Sequence, residues 1–423
     1  MKFRHLILLP ALLISVSLKA QHSKFVSTSN HQFLLQGKPF YFIGTNYWYG
    51  SSLGQTEKGL ARLKTELDFL KSNGITTLRV LAGSEGSGLV NGIIRVEPSL
   101  QYEKGRFDST TLNGMDVLLH EMEKRDLKAV IMLSNNWEWS GGFLQYLLWN
   151  KQIEDSVFRR KLNWDEMRDY ISKFYSCAGC ITDYRQQVSY ILSRKNSITG
   201  KKYIDDEVIM AWELANEPRP MRPHANEAYA KWINDMSSYI KSIDSNHLVT
   251  TGHEGEIGTQ SMELFREIHK GKSIDYLTIH IWPKNWAWFR DGKLSEDFSQ
   301  VVKQTNDYIN KHIAVAAEMQ KPLVLEEFGL PRDNQSFDVN STTSLRDAYF
   351  AGIFSIWKKQ VKSKGPLAGV MFWAFGGTAR PVPGQVFWKK GDDYMGDPPM
   401  EEQGLNTIFD SDRSTWNMIR AFY

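Results

Sequence analysis

Two glutamates at the ends of short apolar stretches could carry out acid–base chemistry. Glu217 stands in the segment IMAWELANEPR (209–219), and Glu327 stands in LVLEEFGLPR (323–332). Apolar residues that run into a carboxylate and then into a turn-forming proline or glycine are typical of a buried parallel strand that opens into a cleft. Paired carboxyl groups of unequal pKa hydrolyse glycosidic bonds, since one protonates the leaving oxygen and the other attacks the anomeric carbon or activates water.

The sequence suggests different roles for the two glutamates. Glu217 is the better acid, because aromatic surroundings would limit solvation of its charged form and raise its pKa. Glu327 is the better nucleophile, because Arg79, which ends another apolar stretch, could keep it ionised. Its neighbour Glu326 is a rival, because consecutive strand residues point to opposite sides and only one can face the cleft. The residues alone leave that choice open. We expect Glu213, the rival of Glu217, to form a structural ion pair.

The elements that must bring these groups together are eight apolar stretches that alternate with helix-like segments. The alternation predicts an α/β fold with a parallel sheet, and eight repeats favour a closed (β/α)8 TIM barrel over an open sheet. No glycine-rich phosphate loop follows the first stretch, which argues against a dinucleotide-binding fold. The predicted strands are 40–45, 76–81, 128–133, 208–212, 247–251, 276–279, 322–325 and 368–372. The predicted helices are 59–72, 112–125, 227–242, 263–269, 301–319, 345–362 and 414–422.

The C-terminal ends of the strands of a parallel barrel meet at one mouth, so polar residues at those ends form the candidate site. His280 is compatible with a core position, but its place at a strand end, two residues before Trp282, favours a functional role. No other histidine or aspartate stands near it at metal-ligand spacing, and we predict no catalytic metal and no cofactor. The candidate strand-end residues are Asn46, Arg79, Asn136, Asn216, Glu217, His280, Glu327 and Trp373.

The first twenty residues have the pattern of an export signal. Lys2 and Arg4 precede an apolar stretch, 6–18, that is too short to span a bilayer, and polar residues begin at Gln21. We predict a Sec-type signal peptide at 1–20 and export to the periplasm or the exterior. No linker or repeat divides the remainder, so we predict one catalytic domain over 21–423 with long βα-loop insertions. No second long apolar run follows, and no membrane span is expected.

The composition narrows the classes of partner. The net charge of +3 is spread along the chain without a basic block, which argues against nucleic acid. Several of the fourteen tryptophans and seventeen tyrosines stand in loop-like sequence, as do Trp137 and Trp139. Aromatic side chains on loops offer flat apolar faces, which suit sugar rings.

A long insertion at 138–200 carries both cysteines of the chain. We predict two helices in it. Cys177 and Cys180 form a CxxC pair, and in an exported chain a local disulfide is the favoured interpretation. We assign the pair no catalytic role, because further metal ligands at suitable spacing are absent from the sequence.

Seven segments, taken in order, resemble glycoside hydrolase family 5, whose members are retaining (β/α)8 hydrolases of the 4/7 superfamily. The similarity spans about residues 33–423, and within the family it is to the endo-β-1,4-mannanase subfamily. The segments are GTNYWYG (44–50), LRVLAG (78–83), NNWEWSGG (135–142), NSITGKKYIDDEVIMAWELANEPR (196–219), TIHIWPKNW (278–286), LVLEEFGLPR (323–332) and GVMFWAFGG (369–377).

The resemblance implies a role for each glutamate and for several neighbours. It implies Glu217 as acid/base and Glu327, directly before Phe-Gly, as nucleophile. It also implies that Asn216 contacts the sugar 2-hydroxyl and that Trp373 stacks at the −1 subsite. The remaining residues implied around the substrate are Arg79, Trp137, Arg219 and His280, with Arg219 on the leaving-group side.

One residue departs from the family pattern. Many relatives have a tyrosine where this chain has Trp282, and the tyrosine hydroxyl touches the nucleophile. An indole N–H can donate a hydrogen bond to a carboxylate but cannot accept one.

The function implied is that of a secreted, retaining endo-β-1,4-mannanase acting on mannan, galactomannan or glucomannan, and we expect a monomer. Retention predicts carboxyl groups about 5 Å apart. An exo-acting mannobiohydrolase or β-mannosidase is the alternative if the 138–200 insertion closes one end of the cleft. A β-1,4-glucanase on the same barrel and a non-catalytic polysaccharide-binding barrel are the others.

Overall fold

The computed structural model describes residues 24–423, so the predicted signal peptide at 1–20 lies outside the described residues. Eight parallel strands form the central sheet in the order β5-β4-β3-β2-β1-β8-β7-β6, which confirms the predicted barrel. The strands are β1 (Phe42–Asn46), β2 (Thr77–Leu81), β3 (Lys128–Met132), β4 (Ile209–Glu213), β5 (Leu248–Thr250), β6 (Leu277–Ile281), β7 (Leu323–Phe328) and β8 (Leu367–Phe372).

The sheet curls until its first and last strands meet. β1 pairs in parallel with β8, with Phe42 opposite Gly369. The remaining gap, between β5 and β6, is bridged by backbone hydrogen bonds from Asp275 N to Val249 O at 2.8 Å and from His280 N to Glu254 O at 3.0 Å. The strand ends therefore share one mouth.

Helices surround the barrel. α2 illustrates why these segments are helical: the hydroxyl of Thr56 caps it by accepting from Gly59 N at 3.0 Å, and Leu63, Leu67 and Leu70 form one buried stripe. The helices are α1 (Gly50–Leu53), α2 (Glu57–Ser72), α3 (Ser109–Glu123), α4 (Gly142–Trp149), α5 (Asp155–Arg159), α6 (Trp164–Ile171), α7 (Ala178–Leu192), α8 (Asn226–Ile243), α9 (Glu256–Thr259), α10 (Met262–His269), α11 (Leu294–Met319), α12 (Ser344–Ser363) and α13 (Arg413–Arg420).

Most predicted elements agree with the observed ones to within a few residues, with two larger differences. β7 runs through Phe328 instead of ending at residue 325, so Glu326 and Glu327 lie within the strand. α11 begins at Leu294, seven residues before the predicted start at 301, because its polar first two turns carry little apolar periodicity. Across the part of the chain that the structure describes, no helix has the length and apolar character needed to cross a membrane.

A small antiparallel sheet covers the end of the barrel opposite the mouth. Its strands are Ser27–Ser29, Gln32–Leu35 and Lys38–Pro39. Phe33 projects from it into a buried apolar cluster and packs against Tyr276 of the barrel at 5.2 Å between ring centroids. The barrel bottom is thus a packed core, which leaves the mouth for chemistry.

The long insertion contains four α-helices, α4 to α7, and the prediction of two was wrong. α5 and α6 have only five and eight residues, too few for a clear periodic pattern in the sequence. Cys177 and Cys180 are joined by a disulfide at the start of α7, the helix that returns the chain to β4.

The segment between β8 and α13 crosses the mouth and is tied to the barrel by buried ions. Two short strands, Phe375–Gly377 and Ile408–Phe409, pair within it. Arg332 donates two hydrogen bonds to Asp412, at 2.7 and 2.9 Å, and Arg346 lies 3.6 Å from the same carboxylate. All three side chains are buried, so one carboxylate balances two guanidinium groups.

We expect Asp412→Ala to lower the free energy of unfolding by about 3–5 kcal/mol, because it leaves two buried guanidinium groups unpaired. Urea unfolding followed by circular dichroism measures the change. Asp410→Ala is the matched control, since it breaks a partly exposed pair with Arg380 and should cost less than about 1 kcal/mol. Equal losses in the two variants would contradict the structural role of Asp412.

Candidate active site

Arg79, at the third position of β2, is the buried centre of the mouth. Its Nε and Nη2 donate to the two oxygens of Glu213 at 2.7 and 2.5 Å, which confirms the predicted structural ion pair. Its Nη1 donates to Glu327 and, at 3.0 Å, to Asn46 Oδ1. Its Nη2 also donates to Asn216 Oδ1 at 2.8 Å. One guanidinium therefore fixes four side chains from the ends of three strands, β1, β4 and β7.

Glu327 is held by two donors. One oxygen accepts from Arg79, and the other accepts from Trp282 Nε1 at 3.0 Å. Burial and the nearby Glu217 carboxyl group raise the pKa of Glu327 well above its ordinary value, and the Arg79 guanidinium and the indole N–H offset only part of that rise by stabilising the charged form. Trp282 thus donates to this carboxylate, as the chemistry of its side chain predicts.

Glu217 has a different set of partners. Its Oε2 accepts from Trp137 Nε1 at 2.7 Å, and its Oε1 lies 2.7 Å from His280 Nδ1. Burial raises the pKa of Glu217, and it lowers the pKa of His280 to about 4, so this histidine is neutral near pH 7. Glu217 therefore sits among uncharged hydrogen-bonding groups.

The backbone of Glu217 adopts a left-handed conformation, with φ of +50°. Non-glycine residues in this region are uncommon, and such a conformation costs on the order of 1 kcal/mol. The backbone N–H of Glu217 donates to Gly252 O at 2.9 Å, and Pro218 follows directly. This turn at the end of β4 directs the carboxylate into the mouth.

The two carboxyl groups are close enough for the charge of one to affect the protonation of the other. One oxygen of Glu217, one of Glu327 and a ring nitrogen of His280 all lie within 4.8 Å of one another. Two buried carboxylates at this separation repel when both are charged, which favours a state with one proton between them. Glu327 is the better site for the charge because a guanidinium donates to it. Glu217 is the better site for the proton.

The same three side chains could hold a divalent cation by geometry alone. The hydrogen-bonding pattern fits a proton better, because Trp137 and Trp282 each aim an N–H at a carboxylate oxygen. Each N–H donor uses one lone pair of a carboxylate and already stabilises part of its charge, which reduces the share left for a metal ion.

Glu326 faces away from the mouth. It is fully buried, its Oε1 accepts from Tyr276 OH at 3.3 Å, and its Oε2 lies 3.9 Å from both Arg79 Nε and His280 Nε2. The pairing of β6 with β7 shifts register between Leu325 and Glu327, which leaves Glu326 as the extra residue of a bulge. Of the two adjacent glutamates, Glu327 lines the cavity at the mouth.

That cavity has a volume of about 340 Å³. Six tryptophans contribute to its walls, so it offers flat apolar faces around two carboxylates. It is lined by Trp137, Trp139, Trp164, Asn216, Glu217, Arg219, Glu254, Trp282, Asn285, Trp286, Glu327, Trp373, Met400 and Glu401.

The predicted residues divide into two groups. Trp137, Asn216, Arg219, Trp282 and Trp373 line the cavity with the two glutamates. The side chains of Arg79, His280 and Asn46 lie behind it, where they hold the carboxylates or one another. Asn136 accepts from the backbone N–H of Arg219 at 3.4 Å.

Arg219 is fixed by a residue that sequence reasoning missed. Both its Nε and its Nη2 donate to the carboxylate of Glu254, the latter at 2.5 Å. Its guanidinium also lies 5.0 Å from the centre of the Trp137 ring. Glu254 stands four residues after the end of β5, so its position beyond a barrel strand was the signal that could have identified it.

The other missed residues come from loops whose course the sequence does not reveal. They are Trp139, Trp164, Asn285, Trp286, Met400 and Glu401. Glu401 brings a fourth carboxyl group to the cavity, after Glu217, Glu254 and Glu327, and burial raises its pKa well above the ordinary value. Met400 and Glu401 belong to the segment that follows β8, and Trp164 begins α6 of the insertion.

Comparison with known proteins gives consistent results. The family profile described as "GH family 5 beta-mannosidase-like" matches residues 23–423. Mannan endo-1,4-beta-mannosidase 2 of Arabidopsis thaliana is 30% identical over 367 residues, which cover 83% of this chain and 78% of that protein. Mannan endo-1,4-beta-mannosidase 1 of Oryza sativa subsp. japonica is 27% identical over 386 residues, covering 88% and 82%.

Two solved structures from Rhizomucor miehei are similar to different degrees. Its glycoside hydrolase family 5 mannosidase has a TM-score of 0.85 at 29% identity, covering 94% of this chain and 96% of that one. Its endo-1,4-beta-mannanase has a TM-score of 0.65 at 29% identity, covering 94% and 99%.

We expect Trp282→Phe to raise the pKa of Glu327, because the substitution removes an N–H that stabilises the ionised form while keeping an aromatic ring. A pH titration of 13C-labelled glutamate side chains by NMR measures the shift. Trp286→Phe is the control, since Trp286 lines the same cavity without bonding to either carboxylate. An unchanged Glu327 pKa in Trp282→Phe would contradict the assigned contact.

Proposed function

The chain belongs to glycoside hydrolase family 5, and from that premise we propose that it hydrolyses β-1,4-mannosidic bonds of mannans with retention of configuration. The observation that carries the proposal is the buried pair of Glu217 and Glu327, with oxygens within 4.8 Å, in a cavity walled by tryptophans. The names of the plant relatives support mannan as the substrate class. Close carboxyl groups support retention, since inverting enzymes need about 6.5–9.5 Å for a water molecule.

In the first step, Glu217 donates its proton to the glycosidic oxygen while Glu327 attacks the anomeric carbon. The bond between that carbon and the leaving oxygen breaks, and a covalent glycosyl-enzyme forms on Glu327. The Arg79 guanidinium supports this step because it keeps Glu327 ionised without using the cavity. Burial supports it as well, because it raises the pKa of Glu217 and so favours the protonated form of this carboxyl group, which lacks a guanidinium donor.

In the second step, Glu217 takes a proton from a water molecule, and the oxygen of that water attacks the anomeric carbon. The bond to Glu327 breaks, which regenerates both carboxyl groups in their original states. Two displacements at one carbon restore the β configuration of the product.

The other cavity residues suit sugar binding. Asn216 uses one amide hydrogen on Asn135 Oδ1 at 3.1 Å, which leaves the second free for the 2-hydroxyl. Trp373 offers its ring face as a platform at the −1 subsite, and Trp137 and Arg219 lie together on the leaving-group side.

The cavity also favours a second candidate, exo-acting cleavage. Met400 and Glu401 from the segment after β8 and Trp164 from the insertion add to its walls, and loop residues at the mouth of a barrel are the means by which exo-acting enzymes limit the entry of an internal polymer segment. The higher TM-score to a family 5 mannosidase than to an endo-mannanase points the same way. The endo mode is supported by the names of the plant relatives.

We expect Glu217→Gln and Glu327→Gln each to lower kcat on manno-oligosaccharides by at least about a thousandfold, because each removes one partner of both displacements. Azide should restore turnover of Glu217→Gln on an activated aryl β-mannoside with a β-mannosyl azide product, since azide replaces water without needing a base.

Glu402→Gln is the matched control for these variants. Its carboxylate is partly exposed and pairs with Lys284 at 2.8 Å, so its activity should stay near that of the parent protein. Near-normal hydrolysis by either Glu217→Gln or Glu327→Gln would refute the catalytic assignment.

The order in which products appear separates the two modes of cleavage. If the loop residues that wall the cavity block an internal polymer segment, the first products from ivory-nut mannan are mannose or mannobiose, with little early loss of viscosity in soluble galactomannan. A ladder of longer oligosaccharides at the earliest times would establish endo cleavage instead. Hydrolysis of carboxymethylcellulose at a comparable rate would favour the β-glucanase alternative.

A further inference from the structure

We propose that a second cavity beside the active one binds the part of the mannan chain that lies outside the cleaved bond. This inference rests on the proposed function. The cavity, here called the side groove, has a volume of about 580 Å³ and shares Trp164 and Met400 with the active cavity. Residues that line the side groove and not the active cavity include Ile94, Glu138, Phe387 and Trp388.

The side groove is bordered by unusually exposed aromatic side chains. Trp164 is 50% exposed and Phe387 is 53% exposed, whereas most large apolar side chains among residues 24–423 are buried. Leu89, also exposed, pairs with Ile94 in a hairpin at the same border. Exposed apolar surface collected at one place marks a binding site, because its burial against a ligand is favourable.

Trp164 is held in place as a platform. It is the first residue of α6, whose start is fixed by a capping box in which Asn163 and Glu166 exchange hydrogen bonds of 3.0 Å. Its ring stacks on Trp137, with 6.2 Å between centroids and 27° between planes. Trp137 in turn donates to Glu217, so an aromatic path runs from the acid/base carboxyl to the side groove.

Glu138 supplies a polar anchor in the same groove. Its side chain is 2% exposed, and its Oε1 accepts from Asn91 Nδ2 at 2.6 Å. Its Oε2 has no hydrogen-bond partner among the described residues, although a buried carboxylate oxygen without a donor is costly. This oxygen is itself buried in the wall of the groove, so a ligand hydroxyl would supply the missing donor once the side chain turns toward the groove.

These features together indicate a carbohydrate as the occupant. A sugar presents a flat C–H face for an aromatic platform and hydroxyl donors for a carboxylate, whereas a lipid chain or an apolar peptide face would leave Glu138 Oε2 unpaired. Continuity with the active cavity through Trp164 and Met400 identifies that carbohydrate as the remainder of the chain being cleaved.

Phe387→Ala tests the proposal, because Phe387 lines the side groove and does not line the active cavity. We expect KM for mannohexaose to rise by about threefold to tenfold, the effect of losing one aromatic contact. The kcat for mannohexaose and both constants for 4-nitrophenyl β-mannoside should stay unchanged, since the aryl substrate is too short to reach the groove. Glu138→Gln should raise KM for mannohexaose in the same selective way.

Phe337→Ala is the matched control, because Phe337 is 40% exposed and is not among the residues that line either cavity. Unchanged KM values for mannohexaose in both Phe387→Ala and Glu138→Gln would overturn the proposal. Equal losses on the long and the short substrate would overturn it as well, because they would show a general effect on the active cavity.

A direct binding measurement separates this proposal from the proposed function. Isothermal titration calorimetry of mannohexaose is carried out with both variants in the full-length Glu217→Gln background, so that the ligand is not hydrolysed during the measurement. Weaker binding by Phe387→Ala than by Phe337→Ala would support the side groove even if no β-mannoside were hydrolysed. Equal binding by the two variants would overturn the side groove while leaving the proposed function intact.

Discussion

The buried guanidinium of Arg79 is the interaction on which the site depends. It is the one cation in direct hydrogen-bonding contact with both Glu213 and Glu327 among the described residues, and it also orients Asn46 and Asn216. A buried charge is costly unless it is paired and hydrogen-bonded, and this one is saturated by acceptors from the ends of three strands. The barrel is the scaffold that brings those strand ends together. The charge balance of the site therefore depends on the fold.

The contacts of Arg79 give two neighbouring carboxyl groups, Glu217 and Glu327, different surroundings. Glu327 accepts from a cation, whereas Glu217 contacts an indole and a neutral imidazole on a turn of left-handed backbone. The difference in surroundings is what allows one group to hold a proton while the other remains charged. The loops that add the tryptophan walls then determine how much of a polymer can enter.

The sequence was sufficient for the barrel and the strand-end residues, because both follow from local patterns. Apolar stretches of fixed length alternate with helices, and polar residues mark the strand ends. Contacts between loops that are far apart in the sequence could not be predicted. Glu401 and Trp164, for example, line one cavity although 237 positions separate them. The choice between Glu326 and Glu327 needed the family resemblance, since a bulge between β6 and β7 is invisible to simple alternation.

Covalent trapping of the glycosyl-enzyme is the most direct test of Glu327 as the nucleophile. Incubation with 2-deoxy-2-fluoro-β-mannosyl fluoride, followed by proteolysis and mass spectrometry, locates any glycosyl-enzyme to a residue. We expect one fluoromannosyl group on Glu327, because Arg79 and Trp282 donate to that carboxylate, favour its charged form and hold it at the cavity wall. A label on Glu326, or the absence of any label together with an inverted product from an aryl β-mannoside, would contradict it.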